Sequence, residues 1–195
     1  MLRSLWIAKT GMDAQQTSLD TISNNLANVS TTAYKRVRPI FEDLLYQNIR
    51  SPGLNEDSGS YVPSGLQAGN GARIAATQRI NSAGSLVQSQ NPLDMAIAGD
   101  GFFQITQADG TIAYTRDGNF KLSSTGQLVT SSGALLQPAI TIPNTASSVT
   151  IGRDGTVSIE LSAGGSQVVG QMQLARFVNP SGLESKGQNL MKETP

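Results

Sequence analysis

The sequence predicts an α+β protein in which one long N-terminal amphipathic helix precedes an antiparallel domain of short β-strands. Three observations predict this class. Apolar side chains repeat every seven residues over the first part of the chain, a Gly- and Pro-rich stretch follows near residues 51–71, and after Ala72 the apolar period changes to two. A helical period followed by strand alternation is typical of a chain whose helical and strand regions are segregated.

The seven-residue repeat predicts a helix from residue 3 to about residue 29. Only Gln15 interrupts its a and d positions, which we call the heptad seam: Leu5, Ala8, Met12, Leu19, Ile22, Leu26 and Val29. Such a narrow apolar stripe packs against another helix rather than against a broad core. Because the rest of the chain offers no second helix of this length, we expect its partner on another chain or on a segment that this chain lacks.

The stretch that follows the helix is less regular. Asn28 to Thr32 end the helix, because Asn, Ser and Thr compete for backbone hydrogen bonds. Residues 34–50 form either a short helix or an extended arm, and Pro39 argues against an unbroken helix. From residue 46 to residue 63, glycines and prolines predict a loop without regular structure, which is either a functional loop or a disordered linker.

The remaining chain predicts an antiparallel sandwich or barrel of short strands. Apolar and polar residues alternate over residues 102–106, 111–116, 119–122, 127–130, 134–137, 149–151, 156–159 and 167–177. Between the first five strands stand Asp109-Gly110, Asp117-Gly118, Thr125-Gly126 and Ser132-Gly133, which are pairs that supply positive φ in tight turns.

Composition argues against most catalytic and ligand-binding classes. The 195 residues include no Cys and no His, so thiolate and imidazole metal sites are excluded and the commonest general base is absent. Net charge is zero and charged residues make up 14%, which gives no general attraction to nucleic acid or to an acidic membrane. The N-terminal apolar run is too short for a cleaved signal peptide, and no run reaches the roughly 18 residues of a membrane span. We predict no catalytic, cofactor or metal-binding residues.

Three local motifs have simpler interpretations. Gly69-Asn70-Gly71 lacks the preceding buried strand and following helix of a phosphate loop. Turn formation explains the acidic residues that directly precede glycine, and no calcium-loop pattern is present. The cluster Lys35-Arg36-Val37-Arg38 is offset by Glu42 and Asp43, which indicates an ion-paired surface or interface rather than a nucleic-acid site.

The junction after the helix carries the most specific motif, Asn24-Asn25-Leu26-Ala27-Asn28-Val29-Ser30-Thr31-Thr32-Ala33-Tyr34-Lys35-Arg36. It resembles the N-terminal signature of the bacterial flagellar rod and hook family, in which the matching positions here are Asn24, Asn25, Leu26, Ala27, Asn28, Thr31, Tyr34 and Lys35. Many members have Gly where this chain has Ala33, a change that we expect to be mild. Asp100 to Ile105 and Tyr114 to Phe120 are similar to motifs of the family's β domain.

Several longer segments resemble the distal rod branch of that family: residues 4–11, 41–47, 63–67, 138–143 and 182–185. The resemblance implies a non-enzymatic axial subunit that polymerises helically across the periplasm and transmits motor torque to the hook. It implies as partners further copies of the chain, proximal rod and hook proteins, the periplasmic and outer-membrane ring proteins and the export apparatus, through which the chain passes without a cleaved signal. It also associates the 46–63 loop with a stiff, straight rod, and we expect Tyr46, Ile49, Leu54, Tyr61 and Pro63 to matter there.

The resemblance also implies a division of the chain. Residues 1–31 are the axial core helix, 32–75 a connecting arm, and 76–195 a mainly β domain with its core at about 94–178. Family members finish in a second amphipathic helix that pairs with the first, so this chain is expected to be C-terminally truncated. Two alternatives stay open: a proximal rod or hook protein of the same family, and a secreted β-rich binding or adhesin module.

Overall fold

A computed structural model describes residues 2–50, 55–56, 60–61, 64–162 and 164–194. The chain divides into two compact units, the helical unit of Met1–Ser30 with Lys35–Ile80 and the β unit of Thr31–Tyr34 with Asn81–Pro195. This division follows residue 80, whereas the sequence places the start of the β domain at residue 76. The predicted α+β class is confirmed, because one long helix precedes a set of antiparallel strands.

The helical unit begins with α1, Leu2–Ala27. The Asn24 backbone oxygen accepts from the Asn28 N–H at 3.1 Å, and the Asn28 side-chain amide also donates to this oxygen at 3.0 Å and to the Asn24 Oδ1 at 2.8 Å, which reinforces the last turn. The helix then ends within two residues of the predicted position. Gly11 is exposed on α1, and a Cβ there would meet nothing within 4 Å, so no contact requires a glycine at position 11.

Six strands complete the helical unit: β1 Val37–Asp43, β2 Gln47–Arg50, β3 Asn55–Glu56, β4 Ser60–Tyr61, β5 Leu66–Ala68 and β6 Ala72–Arg79. Of the two alternatives for residues 34–50, the extended one is observed, and Pro39 lies inside β1. β1 pairs with β6 in antiparallel register, with a bulge between Ile40 and Phe41. A two-stranded sheet leaves each strand one edge without a ladder partner, where a proline is tolerated.

The prediction of a loop without regular structure at residues 46–63 is wrong. β2 pairs with β5, and β3 pairs with β4, so the described residues of this part of the chain form two short antiparallel ladders, which we call together the hairpin arm. The glycines and prolines that indicated a loop fall between these strands and not inside them. Because none of them lies inside a described strand, none removes a donor from the described ladders.

The β unit contains eleven strands within its described residues: β7 Phe102–Thr106, β8 Ile112–Thr115, β9 Phe120–Leu122, β10 Leu128–Thr130, β11 Leu135–Gln137, β12 Ala146–Ile151, β13 Thr156–Leu161, β14 Ser166–Gln171, β15 Leu174–Ala175, β16 Glu184–Gly187 and β17 Leu190–Lys192. The larger sheet has the order β16-β17-β8-β7-β11-β10-β9, with β15 also on β7, and a smaller sheet has the order β12-β13-β14. The five strands predicted between residues 102 and 137 are confirmed.

The main core of the β unit lies on one side of β7. Phe103 and Ile105 point into it and are joined by buried residues of both sheets: Ala113, Phe120, Leu128, Ala134, Leu136, Ile140, Ile142, Val157, Ile159 and Leu190. The neighbouring Phe102 packs in a second, smaller cluster with Leu183 and Met191. Successive side chains of a strand point to opposite faces, so β7 is buried on both of them.

Three expectations about the β unit need correction. Residues 167–177 are not one strand, because β14 ends at Gln171 and β15 is a separate two-residue strand on β7. β16 and β17 were not predicted, and they extend the larger sheet beyond residue 178. Gly118 has no positive φ; a Cβ there would lie 1.7 Å from the Met95 carbonyl oxygen, so close backbone approach accounts for this glycine.

Candidate functional site

The candidate site lies in the helical unit, where α1 has two different faces. One face carries the large apolar residue Ile7 and otherwise small or polar residues, all at least half covered by the unit: Arg3, Thr10, Ala14, Thr17, Ser18, Thr21, Asn25 and Asn28. We call this the inner face. It meets β1 and β6, and Ala14 is its most buried side chain. The helix therefore packs in its own unit through small and polar residues, not through the heptad seam.

The heptad seam is the opposite face, and it is open. Its six large side chains are between 57% and 75% exposed, and Ala8 is exposed as well. Within the described residues nothing covers this stripe, which runs from Leu5 to Val29. A contiguous exposed apolar surface of this kind marks an interaction site, because leaving it in water costs free energy.

The residues of the Asn24–Lys35 motif divide between these two faces. The Asn25 side chain donates to the Val37 carbonyl oxygen at 2.7 Å, and its Oδ1 accepts from the Val37 N–H at 2.9 Å. Leu26, the next residue, belongs to the exposed seam. Asn24 and Asn28 end the helix, Ala27 and Thr31 are exposed, and Tyr34 and Lys35 are half-buried. The motif thus combines residues that hold β1 onto α1 with residues that face outward.

The end of this motif belongs to the β unit. Ala33 has a φ of 62°, a left-handed conformation that glycine adopts more easily than alanine. Our expectation that Ala33 is a mild replacement for Gly is therefore wrong, since a Cβ is unfavourable at this φ. The Asn189 side-chain amide donates to the Thr32 carbonyl oxygen at 3.0 Å, and Asn189 itself has a φ of 60°.

The predicted residues of the 46–63 segment are only partly within the described structure. Tyr46, which directly precedes β2, is 53% exposed, and Ile49, which lies on β2, is 60% exposed. Leu54, Pro63 and the side chain of Tyr61 lie outside the described residues, although the backbone of Tyr61 pairs with that of Asn55. The exposed apolar side chains near the base of the hairpin arm are therefore Leu45, Tyr46, Ile49 and Leu66.

The charged residues form local contacts instead of one site. Glu42 forms an ion pair with Arg73 on β6, while Arg38 donates to Gln78 at 2.7 Å, so Glu42 does not pair with the basic cluster as expected. Asp109 Oδ1 accepts from the hydroxyl of Thr111 at 2.6 Å and from its N–H at 2.9 Å, and these bonds lower the pKa of Asp109. The same two bonds from Thr156, first from its hydroxyl and then from its N–H, lower the pKa of Asp154.

The described residues contain no group of three or more acidic side chains arranged as metal ligands. No helix among them is long and apolar enough to cross a membrane.

Several residues with specific roles were not found from the sequence. Arg3 contacts both strands of the hairpin arm, Asn189 holds residue 32, and Arg73 pairs across the β1–β6 sheet. Each contact joins residues at least 31 positions apart in the chain. Periodicity and turn motifs are local signals, so they do not reveal such pairs; the only available signal was the complementary charge of Glu42 and Arg73.

Comparison with known proteins agrees with this geometry. The flagellar basal-body rod protein FlgG of Buchnera aphidicola (subspecies Acyrthosiphon pisum) is 51% identical over 195 residues, which is 100% of this chain and 75% of that protein. The chain belongs to the FlgG family of flagellar basal-body rod proteins. FlgG of Borreliella burgdorferi is 46% identical and FlgG of Bacillus subtilis is 40% identical. Each match covers 100% of this chain and 74% of the relative's own length.

Two family profiles match different parts of the chain. The profile described as flagella basal body rod protein matches residues 5–35, which contain most of α1 and the Asn24–Lys35 motif. The profile described as the flagellar hook protein FlgE/F/G D1 domain matches residues 96–159 of the β unit. The flagellar hook protein FlgE of Helicobacter pylori is 41% identical, but over 70% of this chain and 19% of that protein. Similarity to FlgG proteins thus covers the whole chain, and similarity to this hook protein covers part of it.

Proposed function

We propose that this chain is a structural, non-catalytic subunit of the flagellar distal rod, which polymerises helically in the basal body and transmits motor torque to the hook. The observation that carries this proposal is the open heptad seam. The inner face of α1 is occupied by β1 and β6, while every large side chain of the seam is more than half exposed. A monomeric protein has no use for such a stripe, whereas a polymer buries it at each subunit.

Assembly through α1 follows from the geometry of the seam. An apolar a/d repeat specifies a helical partner and its register, because each side chain enters a space between four residues of the facing helix. We propose that the partner is a helix of a second copy of this chain. The chain spans about three-quarters of the length of its relatives. Repeating one contact between unlike surfaces generates an open helical polymer when the rotation between subunits does not close a ring.

Membership of the family supports a location in the flagellar basal body. We further propose which proteins the rod contacts there and where it lies. We propose that the rod crosses the periplasm, that it contacts the proximal rod, the hook and the periplasmic and outer-membrane rings, and that the export apparatus delivers the chain without a cleaved signal. The similarity to FlgG proteins extends over the whole of this chain, whereas that to the hook protein covers 70% of it, and this supports the distal position over a hook position.

We also propose that the hairpin arm braces neighbouring subunits. The described side chains at its base are exposed and apolar, and a two-stranded ribbon has two unpaired edges that can contact a neighbour. An arm that bridges two subunits would resist the sliding that lets a tube bend. Tyr46, Ile49, Leu54, Tyr61 and Pro63 are its proposed contact residues.

Electron microscopy of the purified chain and of seam variants tests the main proposal. We expect the unmodified chain to form tubes, and Leu19→Asp or Leu26→Asp to abolish them, because each places a charge in an apolar interface. Ser23→Asp is the matched control: it adds the same charge at an exposed position of α1 outside the seam and should still form tubes. Normal tubes from either seam variant would contradict the assignment of the interface.

A further inference from the structure

Arg3 joins the first turn of α1 to the base of the hairpin arm. Its Nη1 donates to Gln47 Oε1 at 2.9 Å, on the outgoing strand β2. Its Nη2 donates to the carbonyl oxygen of Ala68, the last residue of the returning strand β5, at 2.9 Å, and to that of Gly69 at 3.1 Å. One side chain thus contacts both β2 and the end of β5 at the base of the arm.

The base of the arm is closed by a second set of contacts. The Leu44 N–H donates to the Gly71 carbonyl oxygen at 2.9 Å, and the Asn70 side-chain amide donates to the Leu45 carbonyl oxygen at 2.6 Å. α1 approaches the same point, since a Cβ on Gly71 would lie 2.1 Å from Thr10 Oγ1. Gly71 also has a φ of 105°, so glycine suits both the backbone and the close approach of the helix.

From these contacts we infer that Arg3 is a positioning residue, which transmits the position of α1 to the hairpin arm. Arg3 stands between Leu2 and Leu5, two exposed apolar residues at the start of the helix. When the heptad seam is buried in a polymer, the first turn of α1 is fixed, and Arg3 then fixes the direction of the arm. This inference rests on the proposed function for its role in assembly, but the coupling itself is a property of the single chain.

The chemistry of the contact requires an arginine. A guanidinium group presents its N–H donors in a rigid planar fork, so it reaches an amide oxygen on one strand and two carbonyl oxygens on the other at the same time. A lysine ammonium is a compact charge on a flexible stem and lacks this fixed spacing. Lysine at position 3 should therefore keep the charge and lose most of the coupling.

A distance measurement between spin labels on α1 and on the arm tests this coupling. The chain contains no cysteine, so the double variant Gln15→Cys with Asn48→Cys carries labels at those two sites alone, both of them exposed. In the monomer we expect a narrow distance distribution. Arg3→Ala should broaden this distance distribution and remove its original peak. Arg3→Lys should broaden the distribution less than Arg3→Ala does, and Lys9→Ala should leave it unchanged. Lys9 is the matched control, because it lies on the same helix with its Nζ 5.3 Å from the Trp6 ring.

Circular dichroism of each variant measures whether α1 is retained. If Arg3→Ala loses helix, the same distance measurement is made on Gln47→Ala, which removes one acceptor of Arg3 from the arm without altering α1. An unchanged distribution in the folded variant would overturn the inference. Because the measurement uses monomer, its result is independent of tube formation, which tests the proposed function. Among variants that do form tubes, straight tubes from Arg3→Ala would also overturn the role in assembly.

Discussion

Asn25 and Leu26 show how two adjacent residues of one motif serve different surfaces. The Asn25 amide bonds to both backbone groups of Val37 and so replaces the pairing that a neighbouring strand would provide. Leu26 is 70% exposed on the seam. The spacing of the motif follows from the helix, in which consecutive residues point about 100° apart. The motif therefore has both an inward role, which Asn25 fulfils, and an outward role, which Leu26 fulfils.

Ala33 is the residue at which a single substitution should stabilise the chain. Its φ of 62° is unfavourable for alanine by about 1–2 kcal/mol. Glycine removes this strain, but it also gives the unfolded chain more conformational freedom, which offsets part of the gain in stability. We expect Ala33→Gly to stabilise the β unit by about 0.5–1 kcal/mol, measured by urea unfolding. Ala139→Gly is the control, because Ala139 is exposed without a positive φ, and it should destabilise the same unit. Equal effects of the two variants would contradict the assigned strain.

Asp109 and Asp154 should make the β unit sensitive to acid. Hydrogen bonds from Thr111 and Thr156 lower the pKa of each carboxyl in the folded state. Their stabilisation is fully present above the unfolded-state pKa and is lost as the pH falls through the folded-state pKa. We expect Tm to decline between about pH 5 and pH 2, and to decline less in Asp109→Asn and Asp154→Asn. Thr111→Val and Thr156→Val, which remove the donating hydroxyls, should have the same effect; an unchanged acid profile in all four would contradict this.

At the scale of elements, α1 and the hairpin arm are the parts that define the proposed polymer. α1 uses a small, polar inner face for its own unit and leaves the apolar seam for other chains. The arm is held at its base by Arg3 and at Gly71, and its described side chains on β2 are all exposed. Both elements therefore present more apolar surface than the unit itself can bury.

Shortening the hairpin arm should alter the mechanics of the polymer and leave the fold intact. Replacing residues 51–65 by an Asn-Gly turn keeps β2 and β5 and removes the distal part of the arm. We expect the variant to be exported and to form rods that are curved or flexible, because contacts between neighbouring subunits are lost. Electron microscopy of basal bodies from a flagellated host that lacks its own subunit would measure this. Rods as straight as those of the unmodified chain would show that the arm has no bracing role.

At the scale of the whole molecule, we expect the β unit to fold alone, because the strands of its two sheets pair with one another. β17 pairs with β8, and Leu190 and Met191 are buried in the two core clusters, so the sheet requires residues beyond 178. We expect a fragment of residues 81–195 to unfold cooperatively on heating, and a fragment that ends at residue 178 to lose this cooperativity. Scanning calorimetry of both would measure it. Equal transitions in the two fragments would show that β16 and β17 contribute little to the core.

The sequence by itself determined the helix, the five strands between residues 102 and 137, and the open heptad seam, because each is a periodic pattern carried by neighbouring residues. It did not determine the inner face of α1, the pairing within the hairpin arm, or the return of β17 to β8. Those features depend on contacts between residues far apart in the chain, such as Arg3 with Ala68 and Leu190 with Thr115. Tertiary structure decided them, because a short polar strand gains its stability from the partner that it meets and not from its own residues.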